Sequence, residues 1–326
     1  MSVKATVFIP TYNGERYIGE ILSTLLRQKV DFTYDILIID SGSKDKTLDI
    51  IKSFQKKSKA IILKQIPNTE YGHGKTRDQG VRLAKGEIVV VLSHDATPSH
   101  DEWLYEMVKP FDINPQIVGV MGKQLPRQHC IPLLKYEINS VFNNFGPDFG
   151  TSVFYKDSFV RDQGTYDAIS FYSDVNSACR RSALLGDLSY RDVPYAEDQL
   201  LGRDIIDAGL YKAYAPRGSV VHSNDLTLKE YASRLFDETM GLRKIGIPVE
   251  IPRRKLVVKL ILRGVLKDSV RIVRDKSYGI KRKAYWLVIN PLFHIEKWRG
   301  IRMGASTPLD DTFLINKYSF EKRKIS

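Results

Sequence analysis

The front of the chain alternates short apolar runs with longer amphipathic stretches. Val3–Ile9 is apolar and closes at Pro10, the pattern of a buried strand. Beyond Asn13-Gly14, Tyr17, Ile18, Ile21, Leu22, Leu25 and Leu26 recur at helical spacing and predict a helix with one broad apolar face. Tyr34–Ile39 repeats the strand pattern and runs into Asp40; Ser43 and Asp45 then stand where they can cap a helix across Leu48–Phe54. Ala60–Gln65 predicts a third strand, His73–Lys85 a helix stopped by Gly86, and Glu87–Leu92 a fourth strand. Asp101–Pro110 predicts a short helix and Ile117–Met121 a fifth strand. Strands separated by such helices predict βαβ units, hence an α/β fold with a Rossmann-like, mostly parallel sheet and helices on both faces. In these sheets ligands bind at the carboxyl ends of the strands. That rule singles out Pro10-Thr11-Tyr12-Asn13, Asp40-Ser41-Gly42-Ser43 and Ser93-His94-Asp95-Ala96.

The pattern changes after about residue 125. The middle is loop-rich and aromatic, with Phe142, Phe145, Phe149, Phe154, Tyr155, Phe159, Tyr166, Phe171 and Tyr172. It ends in a predicted helix, Glu197–Ala208, and two strand-like pieces, Tyr211–Ala215 and Ser219–His222. From Leu226 onward the pattern is helical throughout. No run approaches the roughly 20 apolar residues of a membrane span, and the start lacks the pattern of a secretory signal. A cytoplasmic protein, or one lying on a membrane without crossing it, is expected. With 326 residues the chain can bury a core without staples, and its two cysteines, Cys130 and Cys179, are too few for a disulfide framework.

The formal charge of +12 is not evenly spread. Residues 226–326 hold 23 Lys+Arg against 10 Asp+Glu, a net of +13, so the rest is near neutral. Such asymmetry points to nucleic acid, an anionic membrane or a solvated basic face. Lys255, Lys259, Arg263, Lys267 and Arg271 recur every fourth residue, with Arg274 three later, and fan over one side of a helix. Val257, Val258, Ile261, Leu262, Val265 and Ile272 fall opposite, which fits either an interfacial helix or a core-packed one with a basic outer face. Tyr285, Trp286 and Trp298 add aromatics suited to a membrane interface. No recognised nucleic-acid-binding module is present, so nucleic acid is not an expected partner.

Carboxylates mark the chemistry. Asp40 and Asp95 sit at predicted strand ends, and Glu197-Asp198 opens a helix, where the dipole favours negative charge. Each alone could be a cap. Neither a G-x-G-x-x-G after the first strand nor a P-loop is present, so a dinucleotide fold and a P-loop ATPase are disfavoured. No paired C-x-x-C or H-E-x-x-H supports structural zinc. His222, after Ser219-Val220-Val221, is compatible with an edge histidine or a ligand.

Taken in order, these segments resemble family 2 glycosyltransferases of the GT-A fold. Phe8-Ile9-Pro10-Thr11-Tyr12-Asn13 and Ile38-Ile39-Asp40-Ser41-Gly42-Ser43-Lys44-Asp45 are similar to the family's opening. Gly74-Lys75-Thr76-Arg77-Asp78-Gln79-Gly80 resembles its G-x-x-x-R-N-x-G helix, with Asp78 where Asn is usual. Leu92-Ser93-His94-Asp95-Ala96 falls where its metal-binding D-x-D lies, with His94 replacing the upstream aspartate, and Glu197-Asp198 resembles its catalytic pair. Gln124-Leu125-Pro126-Arg127, the Ser-His-Asp-Ala variant, and His222-Ser223 ahead of Phe236-Asp237 are similar to the bacterial rhamnosyltransferase branch.

The resemblance implies a GT-A catalytic domain over 1–225, with a nucleotide-sugar-binding half (1–124) and an acceptor-binding half (125–225), followed by a helical basic region over 226–326. It implies that Pro10, Thr11, Tyr12, Asn13, Ser41 and His94 shape the donor pocket and that Asp40 holds base or ribose. Arg77 would contact the diphosphate or brace the donor site. Asp95, with His222 as a second ligand, would hold Mg²⁺ or Mn²⁺. Asp198 would be the general base, with Glu197 as neighbour and acceptor contact. Gln124, Arg127, Asn176 and Arg180 would border donor sugar and acceptor; a turn leading into a helix near Arg180 is the other reading of 176–181.

The implied activity is inverting transfer of a sugar, rhamnose from dTDP-rhamnose, to a lipid-linked glycan in cell-surface polysaccharide synthesis. The basic tail would hold the enzyme on the anionic cytoplasmic face of the membrane. A UDP-hexose or galactofuranose donor is the alternative within the family. A non-enzymatic scaffold keeping the fold has His94 in its favour and the intact Glu197-Asp198 pair against it. A sugar nucleotidyltransferase would want a Gly-rich activating loop with Arg near the first strand, which residues 10–16 do not match.

Overall fold

The computed structural model describes residues 2–157, 162–193, 195–224 and 226–320, so Phe159 and the last six positions of the basic region lie outside the described residues. The described chain forms two compact units. One comprises residues 1–125 and 139–222, the other residues 126–138 and 223–326.

The first unit opens with β1 (Ala5–Thr11), α1 (Ile18–Leu25), β2 (Tyr34–Asp40), α2 (Thr47–Gln55), β3 (Ile61–Gln65), α3 (His73–Leu83) and β4 (Ile88–Leu92), matching the predicted alternation. β5 (Thr97–Pro98), α4 (Trp103–Val108) and β6 (Ile117–Leu125) follow. Next come α5 (Pro132–Asn143), which straddles both units, β7 (Ser152–Phe154), α6 (Gln163–Ser170), β8 (Asn176–Arg180), α7 (Arg181–Leu185), α8 (Glu197–Asp207) and β9 (Tyr211–Val221).

The sheet runs β3-β2-β1-β4-β8-β6-β9-β5, with β7 on β9. β3, β2, β1 and β4 are mutually parallel, and β6 is parallel to β9. β8 lies antiparallel between β4 and β6. The two strand-like pieces near residue 215 are one strand, β9. Its register against β6 jumps from Gly122↔Ala215 to Gln124↔Val220, so the intervening Pro-Arg-Gly-Ser bulges out of the ladder.

Helices cover both faces, because successive strand residues point to opposite sides. Val7 and Ile9 join the core formed with Ile18, Ile21, Leu22 and Leu25 of α1. Phe8 between them meets α3 instead: a Cβ on Gly80 would lie 2.5 Å from its ring. Only glycine at that position lets α3 lie this close to β1.

The second unit contains α9 (Leu228–Lys244), α10 (Arg254–Arg274), α11 (Ile280–Ser306) and α12 (Thr312–Tyr318). α9 starts in a capping box: Thr227 and Glu230 bond reciprocally to each other's backbone. α11 runs against α9 through Gly300, whose Cβ would sit 2.3 Å from the Ala232 carbonyl. Its core gathers Leu133, Tyr136, Tyr231, Ile272, Tyr278, Trp286 and Phe293. α10 does not bury its sequence-expected apolar side as a whole. Asp268 and Ile272 are buried, whereas Val258 and Leu262 are exposed. The buried Asp268 is held by His294 Nε2 at 2.9 Å. Among the described residues no helix is long and apolar enough to cross a membrane.

Candidate functional site

Three loops converge at the carboxyl ends of β1, β2 and β4. The first two are stitched together. The Asn13 amide donates to Ser43 Oγ (2.8 Å), Lys44 N–H to Asn13 Oδ1 (2.9 Å), Gly14 N–H to Thr47 Oγ1 (2.7 Å) and Glu15 N–H to Asp45 Oδ2 (3.1 Å). Asn13 holds a left-handed backbone (φ 49°), a conformation asparagine tolerates. Ser43 is therefore spent on Asn13, while Asp45 caps the start of α2 through Thr47 N–H at 3.0 Å.

Asp40 is fully buried, and its Oδ1 accepts from Gly42 and Ser43 N–H at 3.1 and 3.0 Å. Its carboxylate thus builds the loop it belongs to. Buried Ser41 ties β2 to β1 by donating to the Thr11 carbonyl (3.1 Å), and Thr11 is buried beside it. Pro10 and Tyr12 are half-buried at the rim and Asn13 is exposed. His94 packs its ring against Gly14, where an added Cβ would lie 3.2 Å from it.

At the adjoining rim, between β4, β6 and β9, Asp95 Oδ2 stands 3.5 Å from His222 Nε2. The other ring nitrogen, His222 Nδ1, meets Gln124 Oε1 at 3.1 Å, and Gln124 Nε2 donates to Ser173 Oγ at 3.2 Å. The imidazole is thereby oriented with Nε2 toward Asp95. The Asp95 side chain keeps 29% of its surface exposed, so it can reach a ligand. Among the described residues no group of three or more His, Cys, Asp or Glu could hold a metal. Asp95 and His222 supply two donors. A divalent cation held by these two would need further oxygen ligands from outside the chain.

A second acidic group lies at the start of α8. The chain enters that helix through Ala196 in the left-handed region (φ 62°, ψ 29°), a conformation costing roughly 1–2 kcal/mol for a residue with a Cβ. Glu197 is buried and its Oε1 lies 2.6 Å from Arg77 Nη1. Arg77 Nε lies 2.8 Å from Asp174 Oδ2, and the Asp174 side chain is wholly buried. Arg77 therefore braces two carboxylates from within. Burial lowers the proton affinity of its guanidinium, but the Glu197 and Asp174 charges outweigh that and leave it raised.

Asp198 is half-buried beside this group. Its Oδ1 accepts from Gln199 N–H (2.8 Å) and its Oδ2 from Asp174 N–H (3.2 Å). Burial, then the Glu197 and Asp174 charges, push its pKa up to about 8, against the opposing pull of Arg77. A carboxylate with that proton affinity suits general base work near neutral pH.

Two expected residues of this unit do not present their side chains to this rim. Arg180 pairs with Ile88 at the amino end of β4, and its guanidinium donates to the Ile117 and Phe111 carbonyls at 2.9 and 2.7 Å. It ties elements at the far end of the sheet. Asn176 pairs with Leu92 at the carboxyl end, but its amide is consumed inside: it accepts from Trp103 Nε1 (3.1 Å) and donates to the Gly218 carbonyl (2.7 Å). Residues 176–180 form a strand in place of the alternative's turn, and the helix that this alternative starts near Arg180 is present as α7, with Arg180 at its N-cap. Arg127 is buried in the second unit. Asp174 and Ser173 carry no signal in the sequence, where a lone Ser-Asp pair in an aromatic loop points to nothing.

The model of a family described as "Glycosyl transferase family 2" matches residues 6–185. An O-antigen chain rhamnosyltransferase of Salmonella typhimurium is 28% identical over 97% of this chain and 95% of its own length. An O-antigen chain rhamnosyltransferase of Salmonella anatum is 29% identical over 96% and 94%. A mannosyltransferase from Pyrobaculum calidifontis, solved with GDP-Man and Mn²⁺, covers 94% of this chain and 85% of its own at a TM-score of 0.56 and 18% identity. Residues 1–349 of TarS from Staphylococcus aureus, solved with UDP, cover 93% of this chain and 90% of their own at a TM-score of 0.52 and 17% identity.

Proposed function

Because this chain belongs to glycosyl transferase family 2 and is a glycosyltransferase, we propose that it transfers L-rhamnose from dTDP-rhamnose to a lipid-linked glycan acceptor, inverting the anomeric carbon. The reaction rests on Asp198, a half-buried carboxylate of raised proton affinity at the same sheet edge as the converging loops. A sugar hydroxyl is a poor nucleophile until a positioned base takes its proton. In the proposed step, Asp198 accepts that proton as the acceptor oxygen bonds to the anomeric carbon and the bond to the donor diphosphate breaks. One carboxylate opposite the leaving group serves a single in-line displacement, which inverts the centre.

The loops after β1 and β2 would line the nucleoside, with Asn13, Tyr12 and the Gly42–Ser43 backbone nearest solvent. Arg77 would act as a brace, since its charge is taken up by Asp174 and Glu197. Asp95 and His222 would hold the divalent cation, Mg²⁺ or Mn²⁺. A cation held by these two residues would supply positive charge to offset that of a nucleoside diphosphate leaving group. The two Salmonella relatives, matched nearly end to end, support rhamnose. Purified protein with Mg²⁺ or Mn²⁺ and a lipid-linked acceptor is expected to release dTDP from dTDP-rhamnose faster than it releases UDP from UDP-glucose, UDP-galactofuranose or UDP-GlcNAc. Preference for a UDP-sugar would refute the donor.

The same reading puts the enzyme at the cytoplasmic face of the membrane, where a lipid-linked acceptor is anchored. α10 supports it. Val258, Leu262 and Leu266 follow one another every fourth residue and are 56%, 65% and 69% exposed, with Val273 rejoining their line. Lys255, Lys259, Arg263 and Lys267 flank that stripe, and the helix's one acidic residue, Asp268, is buried. An apolar stripe edged by cations suits an anionic lipid interface, where each basic side chain contributes about 1 kcal/mol. The protein should float with phosphatidylglycerol vesicles, less so as salt rises and not with phosphatidylcholine alone. Replacing Leu262 and Leu266 by Glu should weaken binding about tenfold or more, given two buried apolar side chains lost. Undiminished binding by that variant would remove α10 from the interface.

A further inference from the structure

Asp198 does not stand alone; three carboxylates share one cation. Asp174, on the loop ahead of β8, is wholly buried, and its Oδ1 accepts from Ser177 Oγ at 2.7 Å. Its Oδ2 faces Arg77, and its own N–H reaches Asp198 Oδ2. Arg77 divides its single charge between Asp174 and Glu197, and among the described residues Asp198 has no ion pair of its own. Around Asp174 the other titratable groups are Tyr172 and Tyr190, Cys179 of β8, and Glu197 of α8. Among the described residues, Arg77 is the charged group there that opposes a negative charge.

We propose that Asp174 is a positioning residue: buried beneath Asp198 and leaning on Arg77, it governs the pH at which Asp198 becomes free to accept the acceptor's proton. The proposal rests on the reading of Asp198 as the base. Carboxylates this close do not titrate independently; protons leave the group in steps that belong to the group. Burial raises the proton affinity of Asp174, and Arg77 and Ser177 pull it back. While Asp174 stays ionised, its charge makes Asp198 hold its proton more strongly and thus act as the stronger base. Neutralising Asp174 should leave Asp198 ionised at lower pH but weaker as a proton acceptor.

The test is the pH dependence of kcat/KM for sugar transfer in full-length wild type, Asp174→Asn and Ser177→Ala, each measured with saturating divalent cation. The wild-type rate should rise through an inflection near pH 8. Asp174→Asn should move that inflection down by about one pH unit, so that the fraction of its own plateau rate retained well below the inflection grows about tenfold. The plateau itself should fall. Ser177→Ala, which removes a bond that favours ionised Asp174, should shift the inflection in the same direction by less; it keeps the test open if Asp174→Asn does not fold. Asp198→Asn is the control. If that variant is inactive while both others keep the wild-type inflection, the role of Asp174 is overturned and the base stands. If Asp198→Asn transfers sugar normally, the base reading itself falls.

Discussion

Asp198→Asn is expected to abolish transfer, with kcat falling about 10²–10⁴-fold, while affinity for the nucleotide-sugar donor stays near wild type. The asparagine keeps the shape and the acceptor oxygen that meets Gln199 N–H, but it cannot take a proton. Nucleotide release measures the first effect and calorimetric titration with the donor the second. Stability should move the opposite way. In the folded protein Asp198 has a pKa of about 8, above its ordinary value of 3.8. A group raised in this way favours the folded state fully below the unfolded pKa, and that contribution is lost as pH rises toward the folded one. At pH 8 and above the wild type therefore carries an ionised Asp198 at a cost that Asp198→Asn avoids. The variant should melt at a higher temperature there, with the gap closing near pH 4. Full activity together with an unchanged melting profile would contradict both readings of the residue.

The strain around this pair has the same sense. Ala196 sits in a left-handed conformation one residue before Glu197, and three buried or half-buried carboxylates crowd one guanidinium. Unfavourable backbone and unbalanced charge in one place are what a fold tolerates at a working site. Arg180 shows the contrast. Its guanidinium is satisfied by two backbone carbonyls, and it holds the far end of the sheet together.

The βα alternation was legible because it is local. Val7, Ile9, Ile36, Ile38, Val90 and Leu92 alternate into a single core, and each strand can be read from its own few residues. β8 was not legible. Its residues, Asn-Ser-Ala-Cys-Arg, are short-range neutral, and it becomes a strand only because β4 and β6 accept it from either side. Asn176 can be buried there only because Trp103 and Gly218, distant in sequence, satisfy its amide. The site divides in the same way. Asp95 and the Glu197-Asp198 pair announce themselves as carboxylates at element ends. Asp174 becomes visible only when α3 and α8 bring Arg77 and Glu197 to it. Asp40 was visible at its strand end, but the part it plays in shaping its own loop, where its Oδ1 accepts from the Gly42 and Ser43 amides, appears only in the folded chain.

Asp95→Ala is expected to lower kcat/KM for the donor by roughly a hundredfold, at least the ten- to hundredfold typical of a residue that only supports a ligand. His222→Ala should cost less, about tenfold. The difference follows from the donors. Asp95 contributes a charged oxygen, which suits both Mg²⁺ and Mn²⁺; His222 contributes a neutral nitrogen, which Mg²⁺ accepts poorly and Mn²⁺ better. The loss in His222→Ala should therefore be larger in Mn²⁺ than in Mg²⁺. Gln124→Leu should repeat that metal preference in weaker form, because Gln124 Oε1 fixes the ring through Nδ1. Calorimetric binding of nucleoside diphosphate with and without each cation reads these effects apart from catalysis. If Asp95→Ala keeps the wild-type dependence of nucleotide binding on cation, Asp95 is not a ligand. If His222→Ala loses equally in both metals, the histidine acts by shaping the rim beside Asp95, 3.5 Å away, and the cation is held from the carboxylate side alone.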